Sequence, residues 1–555
     1  MSYDRLVTPY EAQIGDIPYD IYPRPSFRRD SYFSLNGTWE LRVGEYNGDI
    51  TVPFPPESRL SGVGRITGEG DILVYRRAFT LPEGFVRGRV LLHFGGCDNI
   101  ASVYLNDTFI GGHVGGYLPF TFDITDSLAE ENVIRVEVTD SLDPEYPYGK
   151  QRHRRGGMWY TPVSGIWQSV WCESVPDGYI EDIRVTPTLS SVRFEVKGGM
   201  EKKTLTVDGK SHTFTGECYT LEVEDPVLWS PENPYLYDFT LSSGEDRVES
   251  YFALRTVEVK DGKINLNGEP YYFHGLLDQG YYSDGIFLPA TPSGYEDDIL
   301  RMKECGFNTL RKHIKVEPEL FYYYCDKHGM IVFQDMVNSG RYNFIIDTAL
   351  PTLGLRRGIT HRASGKRREE FHRCADGMMD HLYNHPCVCY YTIFNEGWGQ
   401  FDADENYKRF KAKDPTRIYD ATSGWFKEKL SDVESDHVYF KPYKVKERSA
   451  RPRILSEYGG FSCRVQGHCY NTDKTYGYSK PTEDTAEFED TVLAAFERDI
   501  IPAIQMGLNG DILTQLSDVE DEINGLITYD RRVIKVHPAK MKAKAEEIYN
   551  AFKNS

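Results

Sequence analysis

No stretch of the chain approaches the roughly 18 consecutive apolar residues that a membrane-crossing helix needs. The N-terminus, Met1-Ser2-Tyr3-Asp4-Arg5, lacks the apolar centre of a secretory leader. Positive charge is in deficit. Lys and Arg number 64 against 84 Asp and Glu, a formal charge of −20. That balance argues against a nucleic acid or a membrane surface as a partner of the whole molecule. Cysteine is sparse, with ten in 555 residues. Cys387 and Cys389 share one face of a strand, but only the more distant Cys463 and Cys469 follow, so a metal cluster is not indicated. Buried, reduced thiols are the plain reading, and they point to a reducing, cytoplasmic compartment. Internal repeats and low-complexity blocks are absent as well.

Apolar residues make up 40% of the chain and aromatic residues 14%. This is too rich for disorder, and the length calls for two or three domains. Residues 1–30, rich in Pro, Tyr and charge, read as an extended arm. From Trp39 to about Glu173 the pattern is short alternating stretches such as Leu73–Phe79, Val90–Phe94, Ala101–Leu105 and Val133–Val138, which predicts a β-sandwich. Period-2 runs continue from Tyr179 to about Val259, after a junction at Pro176-Asp177-Gly178. Beyond residue 260 the grammar changes, and strand-like runs alternate with amphipathic helices near 293–305, 317–328 and 367–383. The runs are Tyr271–Leu277, Thr309–His313, Ile331–Gln334, Val388–Phe394, Arg417–Ala421, His437–Phe440, Ile454–Ser456 and Ile512–Leu516. Eight strands over roughly 295 residues predict a (β/α)₈ barrel. The segment 346–370 is read as a loop over the barrel's top face. The expected division is 1–175, a sandwich with its arm; 176–258, a second sandwich; and 259–555, the barrel.

Two of the buried runs end in a carboxylate. Tyr390-Tyr391-Thr392-Ile393-Phe394-Asn395-Glu396 ends strand 4, and Ile454-Leu455-Ser456-Glu457 ends strand 7. Catalytic groups of such barrels sit where the strands end, and a carboxyl pair there is what glycosidic hydrolysis needs. A gap of about 5–5.5 Å between the two retains anomeric configuration, and about 6.5–9.5 Å inverts it. One of the pair must hold a proton and the other must be ionised, but sequence position alone does not say which. The bland alternative is that each glutamate caps a strand or pairs with an arginine.

At these residues the chain resembles glycoside hydrolase family 2, which includes β-galactosidases, β-glucuronidases and β-mannosidases. Asn395-Glu396, continuing as Gly397-Trp398-Gly399-Gln400-Phe401, is similar to the family's acid/base motif. Ser456-Glu457-Tyr458-Gly459 is similar to its nucleophile motif. The run Gly157-Met158-Trp159-Tyr160-Thr161-Pro162-Val163-Ser164-Gly165-Ile166-Trp167-Gln168 resembles the signature near the end of the N-terminal jelly roll. The resemblance covers nearly the whole chain. It implies a jelly roll, an immunoglobulin-like sandwich and a catalytic TIM barrel, with no further domain after the barrel. It also implies Glu396 as acid/base, Glu457 as nucleophile, net retention, and Asn395 on the sugar 2-hydroxyl. No organic cofactor is implied. Some members place a divalent cation beside the acid/base, but its ligands are not assignable here.

Further subsite candidates follow from the same resemblance. Arg311, in Gly306-Phe307-Asn308-Thr309-Leu310-Arg311-Lys312-His313, is expected beside the nucleophile, where a cation lowers a carboxyl pKa. His313 is expected at the barrel mouth. Asp278 and Asp335 end strands 1 and 3, and each either binds hydroxyls or caps its loop. Tyr439, in His437-x-Tyr439, resembles a tyrosine that bonds to the nucleophile. Trp425 either stacks on a sugar face or anchors its loop. Strand 8, Leu513-Thr514-Gln515-Leu516-Ser517-Asp518, lacks the tryptophan common in familiar members, and no Asn-x-Lys element for a uronate follows it. The cations Arg356, Arg357, His361, Arg362, Lys366, Arg367 and Arg368 either meet an anionic substrate or form a solvated loop. The leading expectation is therefore a retaining exo-β-glycosidase acting on a β-glycoside or oligosaccharide, with β-galactosides favoured by family frequency. The alternatives are a β-uronidase and a non-catalytic carbohydrate-binding scaffold. Family precedent adds association into a homo-oligomer.

Overall fold

The computed structural model describes residues 6–352, 363–445 and 448–555. The first sandwich pairs a six-stranded antiparallel sheet with a four-stranded one. Gly37–Val43 shows how sequence makes it: every second residue, including Trp39, Leu41 and Val43, is buried, and the intervening ones face water. A second sandwich follows, with sheets of three and four strands around Phe194, Phe239 and Phe252.

The remaining chain forms the barrel. Its strands are β1 Phe273–Asp278, β2 Thr309–Lys312, β3 Ile331–Asp335, β4 Val388–Thr392, β5 Ile418–Asp420, β6 Glu434–Val438, β7 Arg453–Gly459 and β8 Leu508–Thr514. They lie in the sheet order β5-β4-β3-β2-β1-β8-β7-β6, so the circle is complete except between β5 and β6. Every ladder is parallel. Strands β1, β3 and β4 are buried throughout, as parallel strands covered on both faces are, while β6 alternates buried and half-buried residues.

The structure departs from the sequence expectation in places. Strand β8 begins at Leu508, four residues before the expected Ile512. The apolar pattern misses Asn509, Gly510 and Asp511 because Asp511 is buried as a satisfied polar group. It accepts from Tyr272 Oη at 2.8 Å and from Tyr458 Oη at 2.7 Å. The expected loop after β3 opens instead with helical turns at Ile345–Ala349 and Leu350–Thr352. The expected arm is tied down along its length. Thr8 bonds to Asp284 of the barrel and Ser26 to Glu319. Arg29 pairs with Glu173 of the first sandwich and Asp246 of the second, both at 3.0 Å. All ten cysteines are free thiols; eight are buried, Cys469 is half-buried and Cys218 is exposed.

Candidate active site

The loops after β4 and the end of β7 bring the two glutamates together. Carboxylate oxygens of Glu396 and Glu457, with a ring nitrogen of His437, lie within 4.8 Å of one another. Local backbone irregularities aim them. In the β6–β7 ladder Asp436 pairs with Leu455 and His437 with Glu457, so Ser456 is an extra residue on β7. Such a bulge re-aims the side chain that follows it. Glu396 itself sits in the left-handed region, φ 53°, a conformation L-residues adopt at a cost. It is held there by its own N–H, which donates to Ser423 O at 2.9 Å.

Arg311, from the end of β2, is the hub beneath the pair. Its guanidinium donates to Glu457 Oε1 at 3.0 Å, Asp335 Oδ1 at 2.9 Å and Asn395 Oδ1 at 2.8 Å. The Tyr439 hydroxyl donates to Glu457 Oε2 at 2.7 Å. Because that proton is committed, the 2.8 Å bond between Tyr439 and Thr514 is donated by Thr514. Burial would raise the Glu457 carboxyl, but the charges of His437 and Arg311 outweigh it and bring its pKa down to about 2. Glu457 is therefore ionised at neutral pH.

Asp335 does not face a substrate directly. Both of its oxygens are engaged, one by Arg311 and the other by His313 Nδ1 at 2.8 Å. Burial, reinforced by the charge of Lys150, lowers the His313 pKa to about 4, so the ring is neutral and Nδ1 carries the shared proton. Asp278 faces elsewhere. It pairs with Lys312 at 2.6 Å, and Lys312 also pairs with Glu317 at 2.9 Å, a buried charge cluster beside the site. Trp425 is half-buried, donates to His437 O at 3.3 Å, and lines the cavity that Glu396 opens into.

His437 is the residue the sequence reading passed over. Its Nδ1 lies 2.8 Å from Glu396 Oε1 and 3.6 Å from Glu457 Oε2, so it bridges the pair. The signal was its spacing: two residues before Tyr439, it points to the same face of its strand. Among the described residues, Glu396, His437 and Glu457 are also the one set of three such groups close enough to hold a metal ion. They do not fit a resident cation. His437 Nδ1 is already bonded to Glu396, and both oxygens of Glu457 are taken by Arg311 and Tyr439.

The first sandwich completes the mouth. Thr161 N donates to Glu520 Oε1 at 2.9 Å, Tyr160 bonds to Glu522, and Trp159 packs edge-to-face on Trp398 at 5.0 Å. Within the suspected anionic-substrate cluster, Lys366 pairs with Asp143, Arg368 pairs with Asp402, and Arg367 is buried. Arg356, Arg357, His361 and Arg362 lie outside the described residues.

The comparisons with known proteins agree with this architecture. The family model described as "Glycosyl hydrolases family 2, TIM barrel domain" matches residues 257–551. The models "Glycosyl hydrolase 2 galactose-binding domain-like" and "Glycosyl hydrolases family 2" match residues 68–164 and 181–255. A β-galactosidase of Priestia megaterium is 24% identical over 491 residues, 80% of this chain and 46% of its own length. The chain thus spans less than half the length of the curated β-galactosidases it matches. A β-glucuronidase from an uncultured Clostridium sp. superposes with a TM-score of 0.74 at 20% identity, covering 95% of this chain and 99% of that one. A β-galacturonidase from Eisenbergiella tayi gives 0.69 at 18% identity, covering 97% and 98%. At such identities the solved structures speak for the fold alone. The chain belongs to glycoside hydrolase family 2.

Proposed function

We propose that this family 2 glycoside hydrolase is an exo-acting, retaining β-glycosidase with Glu457 as nucleophile and Glu396 as acid/base. The observation that carries the reading is the closeness of the two carboxylates, one oxygen of each lying within 4.8 Å of the other. Retaining pairs stand about 5–5.5 Å apart, and the wider spacing of inverting pairs leaves room for a water. In the first step Glu457 attacks the anomeric carbon. The bond to the leaving oxygen breaks, and that oxygen takes the proton of Glu396. In the second step Glu396 accepts a proton from water, which attacks the same carbon and frees Glu457. Arg311 and Tyr439 hold the nucleophile ionised and oriented. Asn395 gives its carbonyl to Arg311, which leaves its amide N–H groups for the sugar 2-hydroxyl. His313 and Asp335 brace Arg311 from behind.

For the glycone, the curated relatives carry the names of both β-galactosidases and β-glucuronidases, so a β-galactoside and a β-uronide are equally supported by name. One feature favours a second reading, a β-uronide. Lys150 is half-buried; its carbonyl accepts from Tyr160 N at 3.0 Å, while its ammonium forms no hydrogen bond or ion pair among the described residues. Its charge acts on Glu457, His313 and Glu522 together. Its loop is fixed: Tyr148 N and Gly149 N donate to Asn338 O at 3.1 and 3.3 Å. A free cation so placed would suit a C6 carboxylate.

A panel of nitrophenyl β-glycosides, neutral and uronic, tests the proposal. Turnover of one class is expected, and Glu457→Gln should cut kcat by about 10⁴-fold or more while circular dichroism and Tm stay unchanged. If the uronide reading is right, Lys150→Met should lower kcat/KM on the uronide by about 10- to 100-fold, the range of a lost charge-assisted hydrogen bond. Full activity of a folded Glu457→Gln protein would overturn the assignment.

A further inference from the structure

A cavity of about 770 Å³ opens beside Glu396. Half of its sixteen lining residues are aromatic. His437 and Tyr439 line it, but Glu457, Arg311, Asp335 and His313 do not. Of the two carboxylates it is Glu396 that faces the cavity, and the cavity meets Glu457 only through its partners Tyr439 and His437. Under the proposed function, the group next to the acid/base is the one that leaves.

Two loops, after β3 and after β6, carry large apolar side chains into solvent beside the cavity. Phe440, just after β6, is 82% exposed, and Phe344, on the segment after β3, is 63% exposed. Both line the cavity, and Ile345 beside Phe344 is 62% exposed. Apolar side chains left this open around a concave site mark a binding surface more often than chance exposure. Deeper in, Tyr439 stacks on Tyr478 with ring centroids 4.0 Å apart, which makes a flat, rigid wall. The polar groups of the lining side chains, Glu396 and His437 aside, are those of Thr348 and Lys441, four tyrosine hydroxyls and the indole N–H groups of Trp159 and Trp425.

A sugar as leaving group would bring a hydroxyl on nearly every carbon, and each would need a partner once dehydrated. On this lining several polar groups are already engaged: Tyr439 on Glu457, Tyr342 with Thr348, and Trp425 on His437 O. The lining supplies instead broad aromatic area, in a volume within the ~300–1,000 Å³ typical of sites for drug-sized ligands. We propose that the enzyme's natural leaving groups are flat, largely apolar alcohols of two or more fused rings, phenolic or alicyclic, which lie between Phe344 and Phe440 and the tyrosine wall. The proposal rests on the retaining-glycosidase reading and adds the aglycone class to it. The chemical step is unchanged: the aglycone oxygen keeps the electrons of its bond to the anomeric carbon and takes the proton from Glu396.

The test uses the glycone found by the nitrophenyl panel, presented four ways: as the glycosyl fluoride, the phenyl glycoside, the 2-naphthyl glycoside and the disaccharide to glucose. Phenol and 2-naphthol have similar acidity, so their difference reports on contact rather than leaving ability. The naphthyl glycoside should exceed the phenyl glycoside in kcat/KM by about 10-fold, the effect of burying one more ring, and should exceed the disaccharide by more. Phe440→Ala and Phe344→Ala change exposed side chains and should each remove most of the naphthyl advantage. Their effect on the fluoride, which has no aglycone, should be several-fold smaller. A disaccharide preferred over the naphthyl glycoside, or variants that lower all four substrates alike, would overturn the proposal. A wild-type protein that leaves the glycosyl fluoride intact would instead refute the glycosidase reading beneath it.

Discussion

At the scale of single residues, the site is organised around one buried arginine. Arg311 reaches Glu457, Asp335 and Asn395 at once, so the proposed nucleophile and the proposed 2-hydroxyl donor share a support. Its replacement has a signed consequence. Arg311 helps to depress the Glu457 pKa, so Arg311→Met should raise that pKa from about 2. Activity needs the ionised form and is lost as pH falls through the pKa. The acid limb of the kcat/KM profile should therefore move to higher pH, alongside a drop in kcat at the optimum. An unmoved acid limb would show that His437 and His313 suffice. Glu396, Glu457, Arg311 and Tyr439 were legible from motif and strand position. His437 was not, because its role depends on an approach to Glu396 across two loops distant in sequence.

At the scale of elements, the barrel loops set the geometry that the strands only offer. The turn after β4 places Glu396 and Gly397 in the left-handed region, φ 53° and 74°. Glycine is required at 397 because a Cβ there would run into the Phe426 ring. Gly397→Ala is expected to strain this turn by about 1–3 kcal/mol, the cost of a disfavoured backbone conformation. A lower Tm and a lower kcat should appear together, because the strained residue adjoins Glu396, the proposed acid/base. A variant with wild-type kcat and Tm would mean that the turn relaxes freely. The bulge at Ser456 works in the same way on β7. Neither device shows in a hydrophobic pattern, which registers burial but not a one-residue slip. The mis-set start of β8 has a related cause, since Asp511 interrupts the apolar run yet is satisfied by tyrosines from β7 and from just before β1.

At the scale of the whole molecule, the N-terminal arm fastens the three units to one another. Glu173 is fully buried and pairs with Arg24 and Arg29, and Arg29 also holds Asp246 of the second sandwich. Removing one partner leaves a buried charge uncompensated, so Arg29→Met should cost about 3–5 kcal/mol in unfolding free energy. Burial would raise the Glu173 carboxyl, but Arg24, His93 and Arg29 bring its pKa well below 4.5. A depressed carboxylate stabilises the fold above its unfolded pKa, and that contribution fades as pH falls toward the folded value. Acid unfolding of the wild type should thus begin below about pH 4.5 and that of Arg29→Met at higher pH, as read by circular dichroism. Identical acid transitions would remove the arm from the stability account.

The amino-acid sequence by itself determined the succession of two sandwiches and a barrel, because period-2 runs and strand–helix alternation are local signals of which face is buried. It also determined the two glutamates, because each ends a buried run at the mouth end of its strand. Only the tertiary structure decided their separation, the bridge through His437, the inward turn of Asp335 and Asp278 toward cations, and the aromatic cavity beside Glu396. Those depend on distances between segments far apart in the chain, and such distances are fixed by barrel closure and loop packing rather than by any neighbour in sequence.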